Sequence, residues 1–352
     1  MFFSATYFHN FRNILPERRE WSRGFNLITG PNGAGKTNFL EGLNLMSGWG
    51  PLEKNTKIST IVKWKGADRE ERASLWGRVS GEEEADIFAS INVRCSLKFC
   101  DTVTDATAMR GRMPVMSWLS GHMSLIRGGA SSRRALLDRV GALVSPSYAM
   151  RLHDYRRILR QKAVLLRRSR DARIANRAMI PLGSWIWTAR EEILRLISGA
   201  MNEFADLLPC PLGLFYERGG GGLDGNPSAD FKKSIEIRTS AEQAARVPLV
   251  GPQRDDVKIT CGARSASDTL SRGQSRRAAS ALILASALVV ERRLGRKPVL
   301  VFDELTSELD GDGKSLTAGA LLETGCQVFA TTTDPFLHDE IGIYKLYDGR
   351  FL

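Results

Sequence analysis

The residues Gly30-Pro31-Asn32-Gly33-Ala34-Gly35-Lys36-Thr37 fill the pattern GxxxxGK[ST] at every fixed position. Glycines at this density let consecutive backbone N–H groups turn inward around an anion. The lysine can neutralise the outer phosphates of a nucleoside triphosphate, and the threonine hydroxyl can sit on Mg²⁺. A short apolar run, 25–29, stops at the first glycine, and Leu40, Leu43 and Met46 follow at helical spacing. The loop therefore joins a strand to a helix N-terminus, whose partial positive charge also favours phosphate.

A second group is Pro298-Val299-Leu300-Val301-Phe302-Asp303-Glu304. Four apolar residues make a buried strand, and two carboxylates emerge at its C-terminal end, where parallel sheets bind ligands. Asp303 is placed to hold Mg²⁺, directly or through water, and Glu304 to orient or deprotonate an attacking water. A third group, Leu270-Ser271-Arg272-Gly273-Gln274, precedes a run of small and apolar residues, 278–290, expected to be a buried helix. Ser271 is then either an ordinary N-cap or, with the Gly273 amide, a second anion site for the γ-phosphate held by another copy of the chain.

The elements that must position these groups are legible in outline. The aromatic and β-forming stretch 2–8 and the run 25–29 read as strands. Segments 73–79, 87–93 and 95–99 read as successive strands of an antiparallel layer. From about residue 117 the period becomes helical: Leu136, Leu137, Val140, Leu143 and Val144, then Leu152, Tyr155, Ile158, Leu159, Leu165 and Leu166, then Ile193, Leu194, Leu196 and Ile197. The expected organisation is an α/β core of residues 1–111 and 209–352 interrupted by a helical arm, 112–208. Glycines 219–222 and Gly225-Asn226-Pro227 mark a flexible loop.

The chain has 352 residues, enough for two domains at about 150 residues each. At 43% hydrophobic and 25% charged residues, it has the composition of a globular protein. The longest apolar stretch is too short to span a bilayer, and the first residues lack the basic start of a signal peptide. Five cysteines at irregular spacing argue against a disulfide framework and fit a reducing, cytoplasmic setting. The formal net charge is +11, which favours polyanionic partners. Ten Lys and Arg residues fall within 151–177 against only Asp154 and Asp171. They form either a solvated helix face or a phosphate-contacting surface.

Together the three motifs resemble the ABC class of ATPases, in which the Leu-Ser-x-Gly-Gln signature of one subunit closes over the nucleotide of the other. Leu305-Thr306-Ser307-Glu308-Leu309-Asp310 resembles the D-loop of that class. Thr37 and Leu270 lie 233 positions apart (270 − 37), a spacing similar to that of the chromosome-maintenance and DNA-repair branch, which carries a large insertion. Within that branch the sequence resembles the RecF family. The resemblance is carried by Phe11-Arg12-Asn13, by Lys36-Thr37-Asn38-Phe39-Leu40-Glu41, by Ser124-Leu125-Ile126-Arg127-Gly128 with Arg133-Arg134, by Tyr155-Arg156-Arg157 onward, by Gly251-Pro252-Gln253-Arg254-Asp255-Asp256, and by Gln327-Val328-Phe329 with Thr331-Thr332-Thr333.

That resemblance implies an ABC-type, SMC-like ATPase head with a mixed sheet and an inserted helical arm. It implies slow, Mg²⁺-dependent ATP hydrolysis by Glu304, Lys36 and Asp303, with Mg²⁺ on Thr37 and Asp303. Nucleotide contacts are implied for Gly30 through Asn38 and Arg12, with Ser271, Gly273 and Gln274 supplied by a second subunit. DNA contact is implied for Arg151, Arg156, Arg157, Arg160, Lys162, Arg167 and Arg168. The implied partners are gapped or junction DNA, RecR and RecO, with loading of RecA, and a second copy of the chain in ATP; no membrane is implied. Trp185 and Trp187 could stack on unpaired bases or pack within the arm. Four features depart from the pattern: no Gln lies between Thr37 and Gln161, Ser47-Gly48-Trp49-Gly50 replaces a basic stretch, Thr331–Thr333 and Asp334 stand where other ABC ATPases place a histidine, and His338 is isolated. A membrane-transporter ATPase subunit and a non-hydrolysing scaffold are the competing readings.

Overall fold

Every residue of the strand Phe25–Thr29 is buried, as a strand covered on both faces must be. It lies inside a six-stranded sheet between Ile341–Tyr347 and Val328–Thr332, and the sheet continues through Val299–Phe302 to Val115–Trp118. All of these pairings are parallel; only the terminal hairpin with Arg350–Phe351 is antiparallel. The computed structural model describes residues 1–352 except 52–55, 57–59, 63–71, 82, 93, 119–121, 221–224, 308 and 334–338. Part of the glycine loop, Glu308, Asp334 and His338 therefore lie outside the described residues.

The chain divides into two compact units, Met1–His122 with Val290–Leu352, and Met123–Val289. In the first, a second six-stranded sheet runs Arg18–Glu20, Phe2–His9, Ala73–Ser80, Ala85–Ile91, Cys95–Phe99, Thr102–Thr104, and is antiparallel throughout. Ala73–Ser80 and Ala85–Ile91 alternate buried and half-exposed residues, the period of a sheet with one covered face. The antiparallel layer expected from the sequence is thus present. The helix Lys36–Met46 runs through the core of this unit. Its Phe39 stacks on Phe8 with ring centroids 5.3 Å apart and meets Trp21 and Phe351 at 4.9 and 5.2 Å. Ser47 to Gly50 folds back here: Trp49 Nε1 donates to the Val115 carbonyl at 2.9 Å, and Asn44 Nδ2 donates to the Gly50 carbonyl at 2.7 Å.

The second unit contains the helices Ala130–Val144, Pro146–Arg167, Arg173–Ala200 and Pro227–Ala245, and the N-terminal part of Arg272–Leu294. A three-stranded antiparallel sheet of Leu212–Glu217, Asp256–Cys261 and Arg264–Ser265 completes it. The boundary expected at 112–208 differs at both ends. Val115–Trp118 is a strand of the parallel sheet, beside Val299–Phe302. Four residues of mixed polarity give too short a run to register against the helical period that begins at Ala130. Residues 209–289 group with the arm, because Leu212–Glu217 pairs with Asp256–Cys261 and not with the ATPase sheets. The cysteine reading is corrected as well. That strand pairing brings Cys210 and Cys261 together as a disulfide, with Cα atoms 6.0 Å apart, while Cys95, Cys100 and Cys326 are free thiols.

Candidate functional site

The strand Phe25–Thr29 delivers its C-terminal end into the glycine loop, and the helix Lys36–Met46 starts directly after it. Gly35 caps that helix at φ 106°, a left-handed conformation side chains rarely adopt. At Gly30 a Cβ would lie 2.1 Å from the Leu346 carbonyl oxygen, so the loop can run this close to the neighbouring strand only with glycine. Lys36 is buried, and its ammonium donates to the Gly30 and Pro31 carbonyls at 2.7 and 3.0 Å. Burial lowers its pKa, while the nearby Asp303 and Glu304 carboxylates act in the opposite sense. Asn13 Nδ2 donates to the Gly33 carbonyl at 3.2 Å, and Asn38 Nδ2 donates to Asn13 Oδ1 at 2.7 Å. Arg12, at φ 51°, is gripped by the buried Glu41 at 2.7 Å.

Val299–Phe302 ends one strand away from the loop, separated from it by Val328–Thr332. Asp303, 4% exposed, follows it. Its Oδ2 accepts the Thr37 hydroxyl at 2.8 Å and its Oδ1 accepts the Thr331 hydroxyl at 2.6 Å. Glu304 is exposed and turns at φ 50°. A cleft of about 230 Å³ is lined by Asn32, Gly33, Gly35, Lys36, Thr37 and Asn38 on one side and by Asp303 and Glu304 on the other. Residues 266 positions apart thus meet in one polar pocket. Thr37 Oγ1 and the Asp303 carboxylate are hard oxygen donors of the kind Mg²⁺ takes.

In the second unit the signature segment forms a reciprocal capping box. Ser271 Oγ accepts the Gln274 N–H at 3.2 Å, and Gln274 Oε1 accepts the Ser271 N–H at 2.9 Å. Ser271 is exposed and its hydroxyl proton is not used by that pair. Beneath it Arg127 donates to the Leu270 carbonyl and, at 3.0 Å, to Ser275 Oγ, which itself donates to the Ser271 carbonyl at 2.7 Å. The turn is therefore braced, with Gly273 in the first turn of its helix.

The arm arginines separate into two groups. Arg151 stacks 4.5 Å over Trp185, Arg156 pairs with Asp138 at 2.9 Å, and Arg157 lies 3.8 Å from Asp154. Arg160, Arg167 and Arg168 are exposed and, among the described residues, form no ion pair, and the same holds for Arg170 and Arg177 further along. Lys162 corrects the expectation of a phosphate contact. It is 0% exposed and bound to Glu242 at 2.6 Å, because its place in the helix Pro146–Arg167 faces the helix Pro227–Ala245. Trp187 is buried against Phe231, with ring centroids 4.7 Å apart, and serves the arm's own interior, whereas the half-buried Trp185 packs 5.8 Å from Tyr148 beneath Arg151.

Sequence reasoning missed the cluster beneath the 251–256 block. Asp255 is fully buried and accepts from Arg190 Nη1 at 2.6 Å, Trp187 Nε1 and the Gly219 N–H at 2.8 Å, and the Tyr216 hydroxyl. Arg190 also binds Asp138 at 2.8 Å and the Pro252 carbonyl at 2.7 Å. The paired acids Asp255-Asp256 in an otherwise short loop were the available signal.

A triphosphate loop and a metal-type acid at the ends of two strands of one parallel sheet, a signature helix, and an inserted helical arm define an ABC-type, SMC-like ATPase head. The chain belongs to the RecF family: the family model for the RecF/RecN/SMC N-terminal domain matches residues 4–342. It is 28% identical over 341 residues to the DNA replication and repair protein RecF of Teredinibacter turnerae, covering 92% of this chain and 87% of that one. Two solved structures of the recombination mediator protein RecF in the RecFOR pathway are similar to it. The one with ATPrS has a TM-score of 0.87 at 25% identity, covering 99% of this chain and 97% of that chain. The one with ATP has a TM-score of 0.85 at 26% identity, covering 99% and 96%. A match of this extent sets the transporter-subunit reading aside.

Proposed function

We propose that this chain is an ATP-dependent DNA-binding protein of recombinational repair, a dimer that ATP closes on gapped or single-strand/double-strand junction DNA. The observation that carries the reading is the meeting of Thr37 and Asp303 beside Lys36 in one cleft. Lys36 gives up its carbonyl partners to the β- and γ-phosphates, and the loop N–H groups hold the rest. Thr37 and Asp303 would hold Mg²⁺, which would neutralise the phosphate oxygens. Glu304 takes the proton of the attacking water. Ser271 and the Gly273 amide of the other copy bind the γ-phosphate, so closure lasts only while that phosphate is present. The similar structures belong to the RecFOR pathway, which supports RecO and RecR as partners; the same reading has the closed dimer promote RecA loading. No helix among the described residues is long and apolar enough to cross a membrane, in keeping with a cytoplasmic role.

The test is size in solution. With ATP and Mg²⁺ the parent scatters as a dimer, and Lys36→Ala scatters as a monomer that no longer binds gapped DNA in an ATP-dependent way. A Lys36→Ala protein that dimerises on ATP like the parent refutes the site.

The sorting of the arm arginines gives a second expected outcome. Reversing Arg160, Arg167 and Arg168 to Glu weakens DNA binding at least about 10-fold and flattens the log–log salt slope by about 0.9 for each phosphate left without a cation. Reversing Arg156 and Arg157, whose charges already face Asp138 and Asp154, has the smaller effect. Titrations of labelled gapped duplex at several salt concentrations measure both; unchanged affinity after reversing Arg160, Arg167 and Arg168 returns the arm to a merely solvated face.

A further inference from the structure

Thr331 is fully buried in the strand Val328–Thr332, one position beyond its pairing with the end of Val299–Phe302. Its hydroxyl donates to Asp303 Oδ1 at 2.6 Å and accepts the Glu304 N–H at 2.9 Å, and its carbonyl accepts the Leu305 N–H at 2.9 Å. One side chain and its own peptide thus hold three consecutive residues of the acid turn.

We propose that Thr331 is the positioning residue of the hydrolytic site, setting the orientation of both the metal-type acid Asp303 and the water-activating Glu304. The inference rests on hydrolysis taking place at this cleft.

Geometry carries the argument. A threonine hydroxyl has one proton. Here it goes to Asp303, which leaves the lone pairs to receive the Glu304 N–H. The polarity of the network is therefore fixed, and neither bond can be made by alanine or valine. Asp303 is held from two sides, by Thr37 through Oδ2 and by Thr331 through Oδ1. Were the Thr37 hydroxyl to hold Mg²⁺, Thr331 would be the anchor that remains on Asp303. Glu304 sits at φ 50°, where a residue with a side chain persists only if its surroundings over-determine it. The two bonds from Glu304 N–H and Leu305 N–H to Thr331 supply that constraint. The position is also the first of the three threonines standing where other ABC ATPases place a histidine, so the strand that lacks the imidazole contributes a hydroxyl that acts through the carboxylates.

The decisive comparison is Thr331→Ser against Thr331→Ala, since these differ by the hydroxyl alone. The Ser variant hydrolyses ATP within about threefold of the parent. The Ala variant is slower by about 10- to 100-fold, the size expected for losing a hydrogen bond to a charged group, with KM for ATP nearly unchanged. In binding titrations with a fluorescent ATP analogue, the Mg²⁺ concentration for half-maximal binding rises in the Ala variant and not in the Ser variant. Thr331→Val, which keeps the volume and drops the hydroxyl, matches Ala and covers the case of an Ala variant that folds poorly. Equal turnover in Ser and Ala, or parental turnover in Val, overturns the proposal and leaves position 331 as strand packing. A parent chain that binds ATP without hydrolysing it overturns the hydrolytic reading instead.

Discussion

Glu304→Gln binds ATP within about threefold of the parent, loses turnover by about 10²–10⁴-fold, and accumulates as the closed dimer. The substitution keeps the shape of the side chain and removes the charge that accepts the water proton, the contribution a general base makes. Glu304 is exposed at the cleft mouth, and its backbone N–H is held by the Thr331 hydroxyl, so the turn survives the change. Single-turnover hydrolysis together with light scattering in ATP and Mg²⁺ reads both effects. A variant that turns over normally, or one that loses turnover without gaining dimer, contradicts the gating scheme.

Arg190→Met unfolds the second unit at a lower temperature. The guanidinium is the shared partner of Asp255 and Asp138 and of the Pro252 carbonyl. Removing it strands a fully buried carboxylate, and breaking one side of a buried pair costs about 3–5 kcal/mol. For a unit of this size that corresponds to a fall in melting temperature of roughly 6–20 °C. The Arg190 guanidinium holds the Tyr148 and Tyr216 phenols and the two aspartates around one charge, and burial pushes both phenol pKa values well up, so the tyrosines act as neutral donors. Calorimetry with and without ATP separates the two units, and a shift below about 2 °C would show that the cluster is dispensable.

The nucleotide cleft was legible because its chemistry is local. Glycine spacing, Lys36 and Thr37 declare themselves within eight residues, and Asp303 follows an uninterrupted apolar strand. The antiparallel layer was legible from strict alternation. The short strand Val115–Trp118 was not, because only the neighbouring strand Val299–Phe302 gives it meaning. Lys162 was misread for a related reason: charge counted along a helix does not reveal which side meets a neighbour, and Glu242 lies 80 positions away. The part played by Thr331 was equally hidden, since a buried threonine in a strand looks like any β-branched filler until its hydroxyl is seen against Asp303. Cys210 and Cys261 lie 51 residues apart, and only the pairing of their strands brings them together.

The strand that feeds the phosphate loop is flanked by Val328–Thr332 and Ile341–Tyr347. During synthesis, residues 25–29 therefore leave the ribosome some three hundred residues before either neighbour exists. Until then an apolar ribbon waits without partners, a state that invites aggregation and chaperone attention. Nucleotide capture by the nascent polypeptide consequently waits for residues 328–347, and a product terminated before residue 328 carries the complete glycine motif yet lacks both strands that flank the one feeding it.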